Sequence, residues 1–326
     1  MKAVVVAATL VLGSHTAFAQ GAASTTPVQR PSFHSSASLV ALNVTVQDRA
    51  AKFVRDLQPA DFVVYEDGVK QNVEFFESTR VPVDLIVMLD TSTSMRLKMD
   101  EVHEAAAGFL KTLREGDRGA VVAFNTTVSV LQGLTADQEA LQRAVRSTVA
   151  AGNTSLNTAV YIALKQFGVA AQTSSEVRRQ AIVLLSDGAD TASAISFDDV
   201  VDLARRMGVS IYTVSLHSPL DARNVAVTNR AETEAADYAM RTLARETGAQ
   251  SFFPPPQAGA LKQIYSSIAS ELASQYSIGY VPVNLVPDGT FRHVNVQVVT
   301  RPQLFSRTRL GYIAAAVNRW AMGDGR

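Results

Sequence analysis

The sequence predicts an α/β fold: a mostly parallel sheet with helices on both faces, framed by two β-rich flanks. Three observations carry that prediction. From residue 82 to about 274, strand-length apolar runs alternate with helix-length amphipathic stretches, the pattern of a sheet covered on both sides. On either side, 37–79 and 275–313 alternate apolar and polar residues with a period of two. Apolar residues make up 47% of the 326 positions and cysteine is absent, so a large core rather than disulfides must hold the chain.

At the start of the chain, Met1-Lys2 gives a short basic stretch and Ala3 to Gly13 an apolar run. Ala17-Phe18-Ala19 then forms a small-x-small cleavage signal before Gln20. The apolar run is shorter than the roughly 20 residues a membrane span needs. Residues 1–19 therefore read as a signal peptide, with an uncleaved anchor as the alternative. Residues 20–36, rich in Ser, Thr, Ala and Pro, read as a flexible leader. The expectation is an exported protein, periplasmic or extracellular, with no integral span in the mature chain.

Next comes a β segment over 37–79. Val40, Leu42, Val44 and Val46 share one face of a strand. Phe62 to Tyr65, Asp67-Gly68 and Val69 to Phe76 read as a hairpin, because Asp-Gly favours the positive φ angles of a tight primed turn. So few strands make a marginal sheet by themselves. In the α/β region over 82–274, strands are expected at 83–89, 119–124, 181–185, 209–216 and 250–253. An antiparallel edge strand at 127–131 is joined to 119–124 through Asn125-Thr126. Helices are expected near 98–114, 137–149, 156–170, 198–207, 234–247 and 257–274. The final β segment, 275–313, carries a Pro287-Asp-Gly289 turn and alternating Val294, Val296 and Val298, followed by a tail over 314–326.

In an open α/β sheet, ligands sit beyond the carboxyl ends of the strands, where strand order reverses. Three loops expected there carry oxygen ligands. The first strand, Val83 to Leu89, ends in Asp90 and continues through Ser92 and Ser94; alternate residues of an extended stretch turn their side chains toward one point. Gly152-Asn153-Thr154 precedes a helix and offers the Thr154 hydroxyl. Leu184-Leu185-Ser186-Asp187-Gly188 is a buried strand ending in a second carboxylate. Two carboxylates and three hydroxyls, without imidazole or thiolate, suit Mg²⁺, with Mn²⁺ or Ca²⁺ as alternatives.

These residues, Asp90-Thr-Ser92-Thr-Ser94-Met, Gly-Asn-Thr154 and Ser-Asp187-Gly, give residues 82–274 a sequence that resembles the von Willebrand factor type A domain with its metal-ion-dependent adhesion site. The resemblance implies a Rossmann-like sheet in which Ser92, Ser94 and Thr154 bind the ion directly while Asp90 and Asp187 act mainly through waters. Thr93 stands where glycine is common, which makes the first loop stiffer. The flanks resemble a narrower group of bacterial exported proteins related to that domain. The residues concerned are Tyr65-Glu-Asp-Gly68, Gln275-Tyr276-Ser-Ile-Gly-Tyr280-Val-Pro282 and Arg309-Leu-Gly-Tyr312. Two half-sized β units flanking one α/β domain are expected to complete a single sandwich.

Other chemistries find less support. The position two residues after Asp90 is Ser92, where a phosphoryl-transfer loop brings a second carboxylate. No G-x-S-x-G elbow, H-E-x-x-H zinc pattern or phosphate-cradling G-x-x-x-x-G-K-[ST] occurs. Lys plus Arg and Asp plus Glu are each 30, which gives no bulk attraction to nucleic acid. His217 reads as a loop histidine, and Asp190 and Asp221 as solvated loop carboxylates rather than an extended acidic rim. Pro254-Pro255-Pro256 reads as a stiff connector. Arg178-Arg179 and Arg205-Arg206 read as solvated helix faces, and Lys262 and Glu271 as the polar side of an amphipathic helix. Trp320 reads as either a contact anchor or part of a fraying tail.

The functional expectation is a binding module, not an enzyme, whose divalent ion accepts an Asp or Glu carboxylate from a protein partner. A metal-assisted hydrolase using the same ion and a structural scaffold are the alternatives. If 1–19 is an export signal, mass spectrometry of the protein from its native host finds Gln20 as the first residue. An intact Met1 on membrane-embedded material supports the anchor instead.

Overall fold

The structure is a computed structural model, and it describes residues 39–78, 81–172, 178–187, 190–216, 227–255, 257 and 259–314. The expected export signal and leader, His217, Asp221, Pro256 and Trp320 lie outside the described residues. No helix among the described residues is long and apolar enough to cross a membrane.

In chain order the strands are β1 (Val40–Gln47), β2 (Phe62–Glu66), β3 (Val69–Gln71), β4 (Val73–Glu77), β5 (Val83–Asp90), β6 (Arg118–Phe124) and β7 (Val128–Thr135). They continue with β8 (Arg179–Ser186), β9 (Ser210–Ser215), β10 (Ser251–Phe252), β11 (Tyr276–Tyr280), β12 (Phe291–Val298), β13 (Phe305–Arg307) and β14 (Gly311–Ile313). The helices are α1 (Met99–Leu110), α2 (Gln138–Arg146), α3 (Leu156–Gln172), α4 (Phe197–Met207), α5 (Val227–Glu246) and α6 (Ala260–Leu272).

The central sheet has six strands in the order β10-β9-β8-β5-β6-β7. All pairs are parallel except β6 with β7, so β7 is the expected antiparallel edge. Every residue of β5 is buried, as a strand covered on both faces requires. Its alternate side chains serve two cores. Leu85, Val87 and Leu89 pack with α1, α2 and α6, whereas Ile86 and Met88 pack with α3, α4 and α5. At the amino end of β5, buried Asp84 accepts from Arg118 Nη2 at 2.6 Å and Arg178 Nε at 2.8 Å. Arg178 and Arg179 are thus not on a solvated helix face. Arg179 opens β8, is 9% exposed, and donates to the carbonyls of Val81 and Leu272.

The flanks interleave. One four-stranded sheet has the order β13-β1-β11-β4 and the other β14-β12-β2-β3, so each takes two strands from before the α/β region and two from after it. Their inner faces share one core, with Val40, Leu42, Val44 and Val46 against Val64, Val294, Val296 and Val298. The rings of Phe62, Phe76 and Tyr276 meet there with centroids 5.1–5.7 Å apart. The expected sandwich therefore forms. The hairpin turn is also as expected, with φ of 48° at Asp67 and 81° at Gly68. The stretch expected to run as one strand from Val69 to Phe76 instead breaks at Asn72. β3 stays beside β2, and β4 crosses to pair with β11, which is how a sandwich turns a corner between its sheets.

Residues of the three flank motifs converge on one buried acid. Tyr280 and Tyr312 both donate their hydroxyls to Glu66 Oε2, at 2.7 and 3.0 Å. Burial, and then the hydrogen bond to Glu66, pushes the Tyr280 hydroxyl well above its ordinary range. Tyr276 accepts from the Leu57 amide and donates to the Val54 carbonyl.

A second buried acid ties the two layers together, and here the reading of Glu271 as solvent-facing is corrected. Glu271 is 1% exposed. Its Oε1 accepts from Tyr212 on β9 at 2.7 Å and from Thr45 on β1 at 3.3 Å, and pairs with Arg307 on β13 at 2.7 Å. A carboxylate at the end of an amphipathic helix looks solvated until another layer covers it. Arg205 is likewise engaged, by Glu246 at 3.0 Å, whereas Arg206 is exposed as expected. Removing one member of a buried charged pair leaves the other desolvated and uncompensated. Glu271→Ala should therefore lower the unfolding free energy by about 3 kcal/mol, as measured by urea denaturation, and a loss near zero would contradict this role.

Candidate functional site

The order of the central sheet reverses between β5 and β8. The chain passes from β5 outward to β6 and β7, then returns to the other side of β5 for β8, β9 and β10. Leu89 pairs with Leu185 in parallel register, so Asp90 and Ser186 end neighbouring strands and Asp187 follows one residue later. The crevice beyond a reversal of this kind is where α/β sheets hold ligands.

Four of the five predicted site residues form one connected hydrogen-bonded cluster. Asp90 accepts from the Ser92 amide at 2.8 Å through Oδ1 and from the Ser186 hydroxyl through Oδ2. Ser92 and Ser94 share a hydrogen bond at 3.0 Å between their hydroxyls. Ser94 in turn donates to Asp187 Oδ1 at 2.7 Å. Residues 93–97 form a short 3-10 turn after Ser92, which brings Ser94 back over the strand end.

Thr154, the fifth, is buried at 5% exposure and its loop is held to the first by backbone bonds. Ala151 donates its amide to Thr91 O at 2.7 Å, and the Thr93 amide and hydroxyl both donate to Gly152 O at 3.0 Å. The Thr154 carbonyl accepts from the amides of Thr191 and Ala192 at 2.9 and 3.0 Å, which ties in the loop after β8. Gly152 has φ of 77°, and a Cβ there would fall 2.6 Å from the Thr126 hydroxyl. The loop thus needs a glycine both for its backbone angle and for space.

Burial pushes the Asp90 carboxyl above its ordinary range, and the negative charge of Asp187 adds to this. The hydrogen bonds from Ser186 and Ser92 act in the opposite direction. The two acids are therefore close enough to repel, and the side-chain groups that join them in the cluster are the hydroxyls of Ser92, Ser94 and Ser186. Among the described residues no group of three or more His, Cys, Asp or Glu is poised for a metal, so any ion here would be held by two carboxylates and hydroxyls. That donor set fits a hard divalent cation such as Mg²⁺.

Lys98 was missed from the sequence. Its Nζ donates to Asp187 Oδ2 at 2.5 Å. The only sequence signal was its position four residues after Ser94, one helical turn along. Asp190, read as a solvated loop acid, is corrected to a cap of α3. It accepts from the Leu156 amide at 3.0 Å and from Asn157 Nδ2 at 2.8 Å, which places its charge at the helix amino terminus. His103, on α1, is turned to the Thr148 hydroxyl at 2.6 Å.

Residues 84–267 match the model of the von Willebrand factor type A domain, and the chain belongs to that family. Domains of this family are usually interaction modules and often bind a divalent metal ion. An uncharacterized protein of Borreliella burgdorferi is 29% identical over 145 residues, which span 41% of this chain and 41% of that protein. Among solved structures, BatB from Bacteroides thetaiotaomicron is 17% identical with a TM-score of 0.46, over 58% of this chain and 98% of BatB. The PilB minor pilin of Streptococcus sanguinis is 13% identical with a TM-score of 0.46, over 60% of this chain and 62% of the pilin.

Because burial penalises the charge of Asp90, a neutral isostere should be tolerated where no cation is present. Asp90→Asn in chelator should unfold within about 1 kcal/mol of the unsubstituted protein. If the cluster holds Mg²⁺, the stabilisation gained on binding, about 2.7 kcal/mol at a hundredfold excess over the dissociation constant, should disappear in the variant. Equal Mg²⁺ stabilisation of both proteins, followed by thermal or urea unfolding, would remove Asp90 from the site.

Proposed function

We propose that the protein is an exported interaction module in which a divalent cation, held by Asp90, Ser92, Ser94, Thr154 and Asp187, accepts a carboxylate from a protein partner. The observation that carries this reading is the convergence of two carboxylates and two serine hydroxyls into one hydrogen-bonded cluster at the strand-order reversal. When bound, the ion supplies a positive centre able to take an anionic oxygen. Asp90 and Asp187 set its charge, and the hydroxyls of Ser92, Ser94 and Thr154 add neutral oxygens. Two carboxylates balance a divalent ion, so an incoming acid meets no excess of negative charge.

The surface around the loops supports a protein as the partner. Leu97 is 97% exposed and Val149 77% exposed, the highest values among the exposed large apolar side chains described. Both flank the site in sequence, Leu97 in the turn after Ser94 and Val149 just before Ala151. Exposed apolar side chains beside a polar centre are what a protein interface buries. Export is supported by the N-terminal sequence, and Mg²⁺ is the expected ion, with Mn²⁺ or Ca²⁺ able to occupy the same oxygens.

The test is capture of proteins from the exported fraction of the native host on the immobilised chain. Retention in Mg²⁺, loss in EDTA, loss with Asp187→Ala and elution by a free carboxylate are the expected results. Leu97→Asp should weaken the captured complex about tenfold. Retention that ignores EDTA and Asp187→Ala would favour a scaffold, and metal-dependent turnover of model esters or phosphates would favour the hydrolase.

A further inference from the structure

The acidic end of the site is held by a cation belonging to the chain. Lys98 Nζ lies 2.5 Å from Asp187 Oδ2, while Asp187 Oδ1 takes the Ser94 hydroxyl at 2.7 Å. Asp187 is nearly enclosed, with a side-chain exposure of 4%, whereas the Lys98 side chain is 31% exposed. The ammonium thus reaches inward from the surface, and its route back to water is open. Lys98 sits at the start of α1 with φ of −103° and ψ of −11°, so four flexible carbons separate its head group from a fixed backbone.

We propose that Lys98 is a tethered cation that exchanges with the divalent ion at Asp187, the ion entering as the ammonium swings out to the surface. The inference rests on the reading of Asp90, Ser92, Ser94, Thr154 and Asp187 as a cation site. A divalent ion held by Ser94 and Asp187 would share Asp187 with the Lys98 ammonium, a like-charge contact that costs more as the site is enclosed. Exchange of one cation for the other relieves that contact. The ammonium is the one that can leave, because its stem is flexible and its head group is strongly hydrated.

Two consequences follow from the placement. Lys98 lowers the apparent affinity for the ion, since each binding event must break an ion pair. Its release returns a positive charge to the surface next to Arg96 and Leu97, which are exposed on the turn after Ser94. Ion loading then presents a free ammonium on the side from which an acidic partner approaches.

Isothermal titration of the full chain with MgCl₂ tests the exchange, using Lys98→Met, Lys98→Gln, Lys98→Arg and Arg96→Met. Removing the competing charge should tighten Mg²⁺ binding about tenfold in Lys98→Met and Lys98→Gln. Arg96→Met, which removes a neighbouring charge, should stay within about twofold of the unsubstituted protein, and Lys98→Arg, which keeps a charge on a less hydrated, fork-shaped head group, should bind Mg²⁺ no more tightly than the unsubstituted protein. In the unsubstituted protein, the rate of Lys98 acetylation, followed by mass spectrometry, should rise when Mg²⁺ is added. Unchanged or weaker binding in both neutral variants, or an acetylation rate indifferent to Mg²⁺, overturns the exchange and leaves the cation site standing. No binding in the unsubstituted protein or in either neutral variant overturns the cation site, and the exchange with it.

Discussion

Two acids at the ends of neighbouring parallel strands set the terms for the rest of this molecule. The register of β5 with β8 fixes Asp90 beside Ser186 and Asp187 one residue beyond. Both acids are buried. Such an arrangement persists only when hydrogen-bond donors and a positive charge meet the carboxylates. The donors are the Ser92 amide and the hydroxyls of Ser94 and Ser186, and the charge is the Lys98 ammonium. The Thr91 and Thr93 contacts with the 151–154 loop serve the same end, by keeping the surrounding oxygens in place.

The β-sandwich joins the α/β region through contacts that do not involve the site residues. Helix α6 runs directly into β11, and Glu271 near its end is fixed by residues of β1, β9 and β13. Close by, the chain at 308–309 presses on Gly248. A Cβ there would lie 2.3 Å from the Arg309 amide nitrogen, and its φ of 74° also favours glycine. Arg307 donates to the Gly248 carbonyl at 2.9 Å. The sandwich therefore grips α6 and the turn after α5 through several side chains and one close backbone approach, all of them away from the Asp90 and Asp187 loops.

The α/β order and the three oxygen-bearing loops were legible because both depend on local pattern. Buried parallel strands read as continuous apolar runs, and Asp90, Ser92, Ser94, Thr154 and Asp187 interrupt them where strands end or helices begin. The sandwich was legible as a need, since each flank shows an apolar face without enough strands to cover it. Its interleaved order was not, because the pairing of β1 with β11 joins residues more than 200 positions apart. The same limit explains the misread charges. Arg179, Asp190 and Glu271 look solvated along their own segments, and each is claimed by partners between 33 and 226 residues away. Lys98 belongs with them, as its partner Asp187 is 89 residues further on.

The central claim is that the oxygens gathered by β5, α3 and β8 hold one divalent cation. Crystals soaked in MnCl₂ and measured for anomalous scattering test it most directly. The account predicts a single strong peak within roughly 2.0–2.4 Å of the hydroxyls of Ser92, Ser94 and Thr154, with Asp90 and Asp187 around it. A manganese peak elsewhere on the chain, or none at millimolar manganese with Lys98 still against Asp187, would contradict it.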